Sequence, residues 1–273
     1  MPHTNRKKRS SEAKSTKIAY LKRAQVEGED GWTHVVETRK GSRLADIRAI
    51  ETTKPWQSDF LSDASAITTM TYQEIQAEHD RYRQQWENSE ACSQLKHILA
   101  SVGERRKITN VVCLGLGSLQ DWRLQSRRTS HTQLSALRTM MQVLEIESVR
   151  RVAQEPHFTD LDKKFMNSLG YDVLEHPEGF SQINGESLVY AVHCYPPLYQ
   201  QISRQPKCVL FVGNDLVEYL QNTIRLQADR HEEIADLENL IKDCDVLDFP
   251  QIRYDFTDTK IYCRQCSSVE WTR

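Results

Sequence analysis

A Rossmann-like α/β fold, a mostly parallel sheet flanked by helices and preceded by a long N-terminal helix, is what this chain of 273 residues predicts. Three observations carry the prediction. From residue 107 onward, short β-branched apolar runs alternate with amphipathic helical stretches, the pattern of a parallel sheet covered by helices. The runs are apolar almost throughout, as strands buried on both faces are. Four of them end in small polar or glycine-bearing clusters: Gly115-Leu116-Gly117-Ser118, Gln154-Glu155-Pro156, His193-Cys194 and Gly213-Asn214-Asp215. The carboxyl ends of parallel strands share one rim, where open α/β sheets bind their ligands, so four scattered clusters would become one site.

Taken in order, residues 1–30 are rich in Lys, Ser and Glu and poor in large apolar side chains, a composition that predicts a disordered basic tail. Residues 31–106 form an N-terminal segment whose first apolar patch is Gly31-Trp32-Thr33-His34-Val35-Val36. Thr71-Tyr72-Gln73-Glu74 has the form of a capping box. Ile75, His79, Tyr82 and Trp86 then share one helical face, and Leu95, Ile98, Leu99 and Val102 resume it, so residues 72–102 read as one long helix or two packing on the core, with Gly103 as the stop.

The α/β core spans 107–265. Its strands are expected at Ile108–Leu114, Val149–Ala153, Tyr171–Leu174, Leu188–Val192, Cys208–Val212 and Lys260–Cys263. Leu134, Leu137, Met141 and Leu144 mark one helix, and Leu161, Phe165 and Leu169 a second that Gly170 ends. Pro196-Pro197 opens a short helix, where the missing N–H costs nothing. Leu216–Leu226 and Ile234–Ile241 are helical, and residues 266–273 are a tail.

Charge is divided unevenly. Residues 1–23 carry eight basic side chains against one acid, leaving 28 basic and 37 acidic residues in 24–273. An acidic body argues against broad nucleic-acid binding through the fold. Arg6-Lys7-Lys8-Arg9 reads either as a nuclear-import signal or as a solvated basic tail. Seven cysteines in no regular framework, two of them (Cys113 and Cys208) inside apolar strand runs, suit a reducing compartment. No apolar run approaches the roughly 20 residues that span a bilayer. Cytoplasmic and nuclear residence is the expectation, with neither membrane nor nucleic acid as partner.

The clusters differ in what they can do. Gly115-x-Gly117 after a strand opens a nucleotide- or methyl-donor-binding loop, because glycines let backbone approach a phosphate or ribose. A third glycine is absent, with Leu119 and Gln120 in its place. The next helix stripe begins near His131, so Asp121–Arg128 reads as a polar lid carrying Arg123, Arg127 and Arg128. A glycine pair at a strand end also serves simply as a tight turn. Glu155 stands where nucleotide-binding α/β proteins keep an acid for ribose hydroxyls, or is an ordinary strand-end carboxylate. His193 and Cys194 follow a strand, so one should face the rim and the other the packing. Imidazole and thiolate also bind transition metals or haem iron. Of Asn214 and Asp215, one at least should cap the next helix. Cys263-x-x-Cys266 lacks a second pair at zinc-ribbon spacing. Gly115, Gly117, Ser118, Glu155, His193, Cys194 and Asn214 are thus the candidate cofactor-binding set; no catalytic or metal-ligating residue and no particular cofactor is assigned.

Several of these segments, in order, resemble the SRR-like domain, the family named for reduced sensitivity to red light in plants. They are Gly31-Trp32-Thr33, Cys113-Leu114-Gly115-Leu116-Gly117-Ser118, Gln133-Leu134, Glu155-Pro156, Leu169-Gly170, Val173-Leu174, His193-Cys194 before Leu198-Tyr199, and Gly213-Asn214, spread over residues 31–265. The chain looks like a fungal-type member. It departs from the pattern at Ala191-Val192, at Asn214-Asp215 and in the basic loop after Gly117. The resemblance implies an intracellular regulatory protein acting through protein partners; the strand-end clusters themselves are what offer a small-molecule ligand site. Family members are linked to light and circadian signalling, to haem-biosynthesis regulation and to microtubule-related stress. The alternative is a nucleotide- or S-adenosylmethionine-using enzyme of Rossmann-like fold, with methyltransferase-like chemistry.

Overall fold

The computed structural model describes residues 23–27, 33–37, 70–103, 107–226 and 230–265. The chain divides into two compact units, Met1–Ser62 and Asp63–Arg273. In the first, β1 (Arg23–Glu27) and β2 (Thr33–Glu37) pair antiparallel, with Val26 opposite His34. Five residues of the stretch expected to be disordered are therefore a strand, while residues 1–22, with the basic run, lie outside the described residues.

The second unit opens with helices. Thr71 caps α1 (Tyr72–Glu87) in a reciprocal box with Glu74, which satisfies donors that a helix start leaves without partners. Asn88 ends α1, and the Ser89 hydroxyl accepts from the Cys92 N–H to start α2 (Glu90–Gly103). The expected long helix is therefore two, because Asn-Ser favours caps over helix interior. The sheet follows: β3 (Asn110–Leu114), β4 (Arg150–Gln154), β5 (Asp172–Val173), β6 (Ser187–Tyr190), β7 (Leu210–Asn214), β8 (Cys244–Asp248) and β9 (Thr259–Arg264). Between them run α3 (Leu124–Val143), α4 (Asp160–Ser168), α5 (Pro196–Ser203), α6 (Leu216–Arg225) and α7 (His231–Ile241).

The seven strands lie in the order β5-β4-β3-β6-β7-β9-β8. The first five are parallel, and β9 runs antiparallel to both β7 and β8. Strand β8 has no counterpart in the sequence reading; its half-exposed Cys-Asp-Val-Leu-Asp at a sheet edge lacks the apolar run that marks its neighbours. Alternation along the strands divides the core in two. Val111, Cys113, Ala153, Tyr190 and Val212 face a layer that includes Leu95, Leu137, Met140 and Phe165. Val112, Leu114, Val189 and Phe211 face one that includes Tyr199, Ile202, Leu220 and Leu237. Helices α1–α4 thus cover one face and α5–α7 the other, a doubly wound arrangement. Among the described residues no helix is long and apolar enough to cross a membrane.

After β3 the chain builds outward through β4 and β5, then returns to place β6 on the other side of β3. The topological switch point therefore lies between β3 and β6, and the loops after those strands flank it.

Candidate functional site

The rim brings together the loops after β3, β4, β6 and β7, as the parallel reading requires. The connection from β8 to β9, residues 249–258, joins them, because Thr259 pairs with Asn214 at the carboxyl end of β7.

Gly115 and Gly117 both sit in the left-handed region, at φ +68° and +79°, where a side chain is strained and glycine is not. A Cβ on Gly115 would stand 2.5 Å from the Cys194 sulfur, so the β3 and β6 loops meet at the switch point because Gly115 has no side chain. The Gly115 N–H donates to the Gln154 carbonyl at 3.0 Å, and the Gly117 N–H to Glu155 Oε2 at 2.9 Å. Glu155 Oε1 accepts from the His157 N–H at 2.8 Å. In this conformation Glu155 holds the glycine loop. Ser118 is likewise engaged: its hydroxyl donates to Asp162 Oδ2 at 2.8 Å. Asp162, fully buried, also accepts from the Leu119 N–H and closes the capping box of α4 with Thr159. The loop after β3 is therefore fastened to the start of α4.

Helix α3 begins at Leu124, seven residues beyond Gly117, rather than near His131. The expected lid is replaced by a short turn and a helix start, and its three cations are paired. Arg123 bonds Asp121, Arg127 pairs with Glu78 at 2.8 Å, and Arg128 reaches the buried Asp255 at 3.3 Å. The stripe beginning at His131 misplaced the start because the first two turns of α3 are anchored by charge instead of apolar packing.

His193 is exposed and Cys194 is buried, the division expected, although β6 ends at Tyr190 and a turn rather than strand alternation separates them. Burial, with the Glu155 charge second, pushes the Cys194 thiol well above the ordinary thiol range, so it is held protonated rather than as a nucleophilic or metal-binding thiolate. His193 occupies the left-handed region at φ +55°, a strained position for a residue with a side chain. Asn214 maintains it from both sides. Its Oδ1 accepts from the His193 N–H at 2.8 Å, and its Nδ2 donates to the Cys194 carbonyl at 3.1 Å. The Tyr199 hydroxyl supports the same turn, donating to the Ala191 carbonyl at 2.8 Å and accepting from the Asn214 and Cys194 N–H groups. Asp215, next in the chain, caps α6 through the Glu218 N–H. The two residues therefore split the roles expected of them.

The His193 ring is oriented as well. Its Nε2 lies 3.0 Å from the Thr257 carbonyl; a carbonyl only accepts, so Nε2 carries the proton and donates. Nδ1 then presents a lone pair, 3.4 Å from Gln133 Nε2, which also donates to the Asp255 carbonyl. The 249–258 connection that supplies Thr257 is strapped to α3 by Asp255. That carboxylate accepts from Thr129, Arg128 and Arg253, and Arg253 also bonds Thr132. Gln133 and Tyr199 stood out in the sequence only as part of the resemblance and Thr257 and Asp255 not at all, since none sits at a strand end with its own turn chemistry. Tyr195 carried a signal in its position between His193-Cys194 and Pro196.

Around this centre the rim carries exposed apolar side chains: Trp122 (54%), Leu124 (59%), Tyr195 (76%) and Tyr254 (74%). A shallow hollow of about 260 Å³ lined by Pro177, Phe180 and Arg204 lies instead near the end of α5 away from the rim, and carries none of the candidate residues. Among the described residues, no three His, Cys, Asp or Glu side chains stand together as a metal site. Cys266 of the Cys-x-x-Cys pair lies outside the described residues.

Comparison with known proteins adds the following. Two solved structures cover most of this chain at low similarity. A Corynebacterium glutamicum protein has 11% identity and a TM-score of 0.40 over 77% of this chain and 97% of its own. A Thermoplasma acidophilum protein has 8% identity and a TM-score of 0.34 over 69% and 98%. No curated protein matches. The family model of the SRR1 domain matches residues 92–263, from the start of α2 through β9, with every rim cluster inside it. This chain belongs to the SRR1 domain family.

Proposed function

We propose that this protein is a regulatory binding protein of the cytoplasm and nucleus that recognises a protein partner through the rim, with His193, Tyr195 and Tyr254 as contact groups. The observation that carries the reading is the presentation of His193. Its backbone is held in the left-handed region by Asn214, its ring is oriented by the Thr257 carbonyl, and the residue is exposed two positions before the exposed Tyr195. Strain maintained by several surrounding contacts at an exposed polar side chain favours a binding role. Aromatic side chains that pair an apolar ring with a polar tip are enriched at interfaces. The resemblance to family members in circadian and haem-biosynthesis regulation supports a regulatory setting. Affinity purification of wild type and of a His193→Ala/Tyr195→Ala variant of equal thermal stability tests this reading. A discrete set of proteins lost from the variant supports it, and identical sets oppose it.

A second reading, a nucleotide- or S-adenosylmethionine-using enzyme, is favoured by left-handed Gly115 and Gly117 at the switch point, with the Glu155 carboxylate on the Gly117 N–H. Such a ligand would have to displace Glu155 from that N–H. A thermal-shift screen against S-adenosylmethionine, nicotinamide cofactors, ATP and haemin tests it. A ligand at about 100 times its dissociation constant adds roughly 2.7 kcal/mol, and that shift should vanish in Gly117→Asp.

A further inference from the structure

Helix α1 lies before the segment that the family model covers, yet it is bound closely to the core. Its attachment includes two buried histidines placed ring to ring. His79 of α1 is 3% exposed and His131 of α3 is 0% exposed, and their Nδ1 atoms are 3.4 Å apart. At that distance one proton fits between the rings; two charged imidazoles do not. Tyr82 stacks on His131 at 5.7 Å between centroids, and Phe165 of α4 meets His79 edge-on at 5.4 Å, so apolar surface closes around the pair. The surrounding charges are mostly positive. On α1 they are Glu78, Asp80, Arg81 and Arg83, and on α3 Arg127 and Arg138, with Glu78 engaged by Arg127. The loop after β3 contributes only the Leu119 backbone.

We propose that His79 and His131 form an acid-released latch that fastens α1 to the core: neutral, the pair seats the helix, and protonation frees it from α3 and α4. Burial, the Arg charges and, for His131, the charge of its partner hold both imidazoles far below their ordinary value of 6.5, His79 at about 4 and His131 at about 3. Water admitted by release of α1 restores ordinary basicity. At pH 5.5 each histidine then shifts the balance toward the open form by about tenfold, and the pair by about 100-fold. The other attachments include the Trp86 Nε1–H to Thr139, the Tyr72 hydroxyl to Ser168, the Glu78–Arg127 pair, and ring contacts of Tyr72 with Phe165 and Trp86 with Phe256.

Amide hydrogen exchange of the full chain at pH 7.5 and 5.5, corrected for intrinsic rates, tests the latch. Residues 72–87 should lose protection by about 100-fold at pH 5.5, with an opening free energy that stays below that of β6 (Ser187–Tyr190) at both pH values, the mark of a release short of global unfolding. In His79→Phe/His131→Leu, which cannot titrate, α1 protection should not depend on pH. Unchanged α1 protection in the wild type would overturn the proposal, as would α1 and β6 opening with the same free energy, or a loss that persists in a folded double variant. If the double variant does not fold, the wild-type comparison of α1 with β6 decides alone.

Discussion

Gly115 and Cys194 meet where the chain reverses its winding, and the contact leaves no room for a β-carbon. Left-handed backbone costs an L-residue roughly 1–2 kcal/mol, and the contact with sulfur adds to it. Gly115→Ala should therefore lower stability by about 3 kcal/mol in urea denaturation. Adding Cys194→Ala should recover the steric part of that loss and leave the backbone part, so a double-mutant cycle separates them. Full additivity would mean that the two loops do not touch. The glycines and the strand-end His, Asn and Asp were legible because each satisfies a local rule of turn or cap. The partners that complete them were not: Asp162 reaches Ser118 across 44 residues, and Thr257 reaches His193 across 64. Periodicity and turn chemistry carry no information over such separations.

At the scale of elements, the 249–258 strap stands out. It joins two strands that the sequence shows poorly, yet it orients the ring of the exposed histidine at the centre of the rim. Its anchor is Asp255, a carboxylate with no solvent exposure between Arg128 and Arg253. Removing one member of a buried ion pair costs about 3–5 kcal/mol because the other charges lose their partner; the two guanidinium groups here are partly exposed, which places Asp255→Ala nearer 3. The same variant should release the Thr257 carbonyl and mix the His193 tautomers, visible in the ring nitrogen chemical shifts. Lower stability with an unchanged tautomer would confine Asp255 to a structural role. Helix α3 shows why the lid was misread. Arg127 and Arg128 look solvated in sequence, because their acids, Glu78 and Asp255, lie on elements distant in the chain.

For the molecule as a whole, the division into two helical layers around a switch point was readable from alternating strands and helices, and the edge pair β8–β9 was only half visible. Stability of the whole should respond to acid through the histidine pair. Above about pH 7.5 both imidazoles are neutral in folded and unfolded chains, so they leave stability flat. As pH falls from 6.5 toward 4, the unfolded chain takes up protons that the buried rings refuse, and stability declines. By pH 5 the loss amounts to about 4 kcal/mol. Denaturant midpoints measured from pH 8 to pH 5 check the sign and the window; constant midpoints below pH 6.5 would contradict the burial of the pair.

The claim that the rim is where this SRR1-domain protein meets its partner is tested most directly by photo-crosslinking in cells. A photoreactive phenylalanine analogue would replace Tyr195 at the rim or, as a control, the similarly exposed Leu226 at the far end of α6. The account predicts discrete protein adducts from position 195 that disappear with His193→Ala, and none of the same adducts from position 226. Identical adducts from both positions, or adducts from 195 that ignore His193, would contradict it.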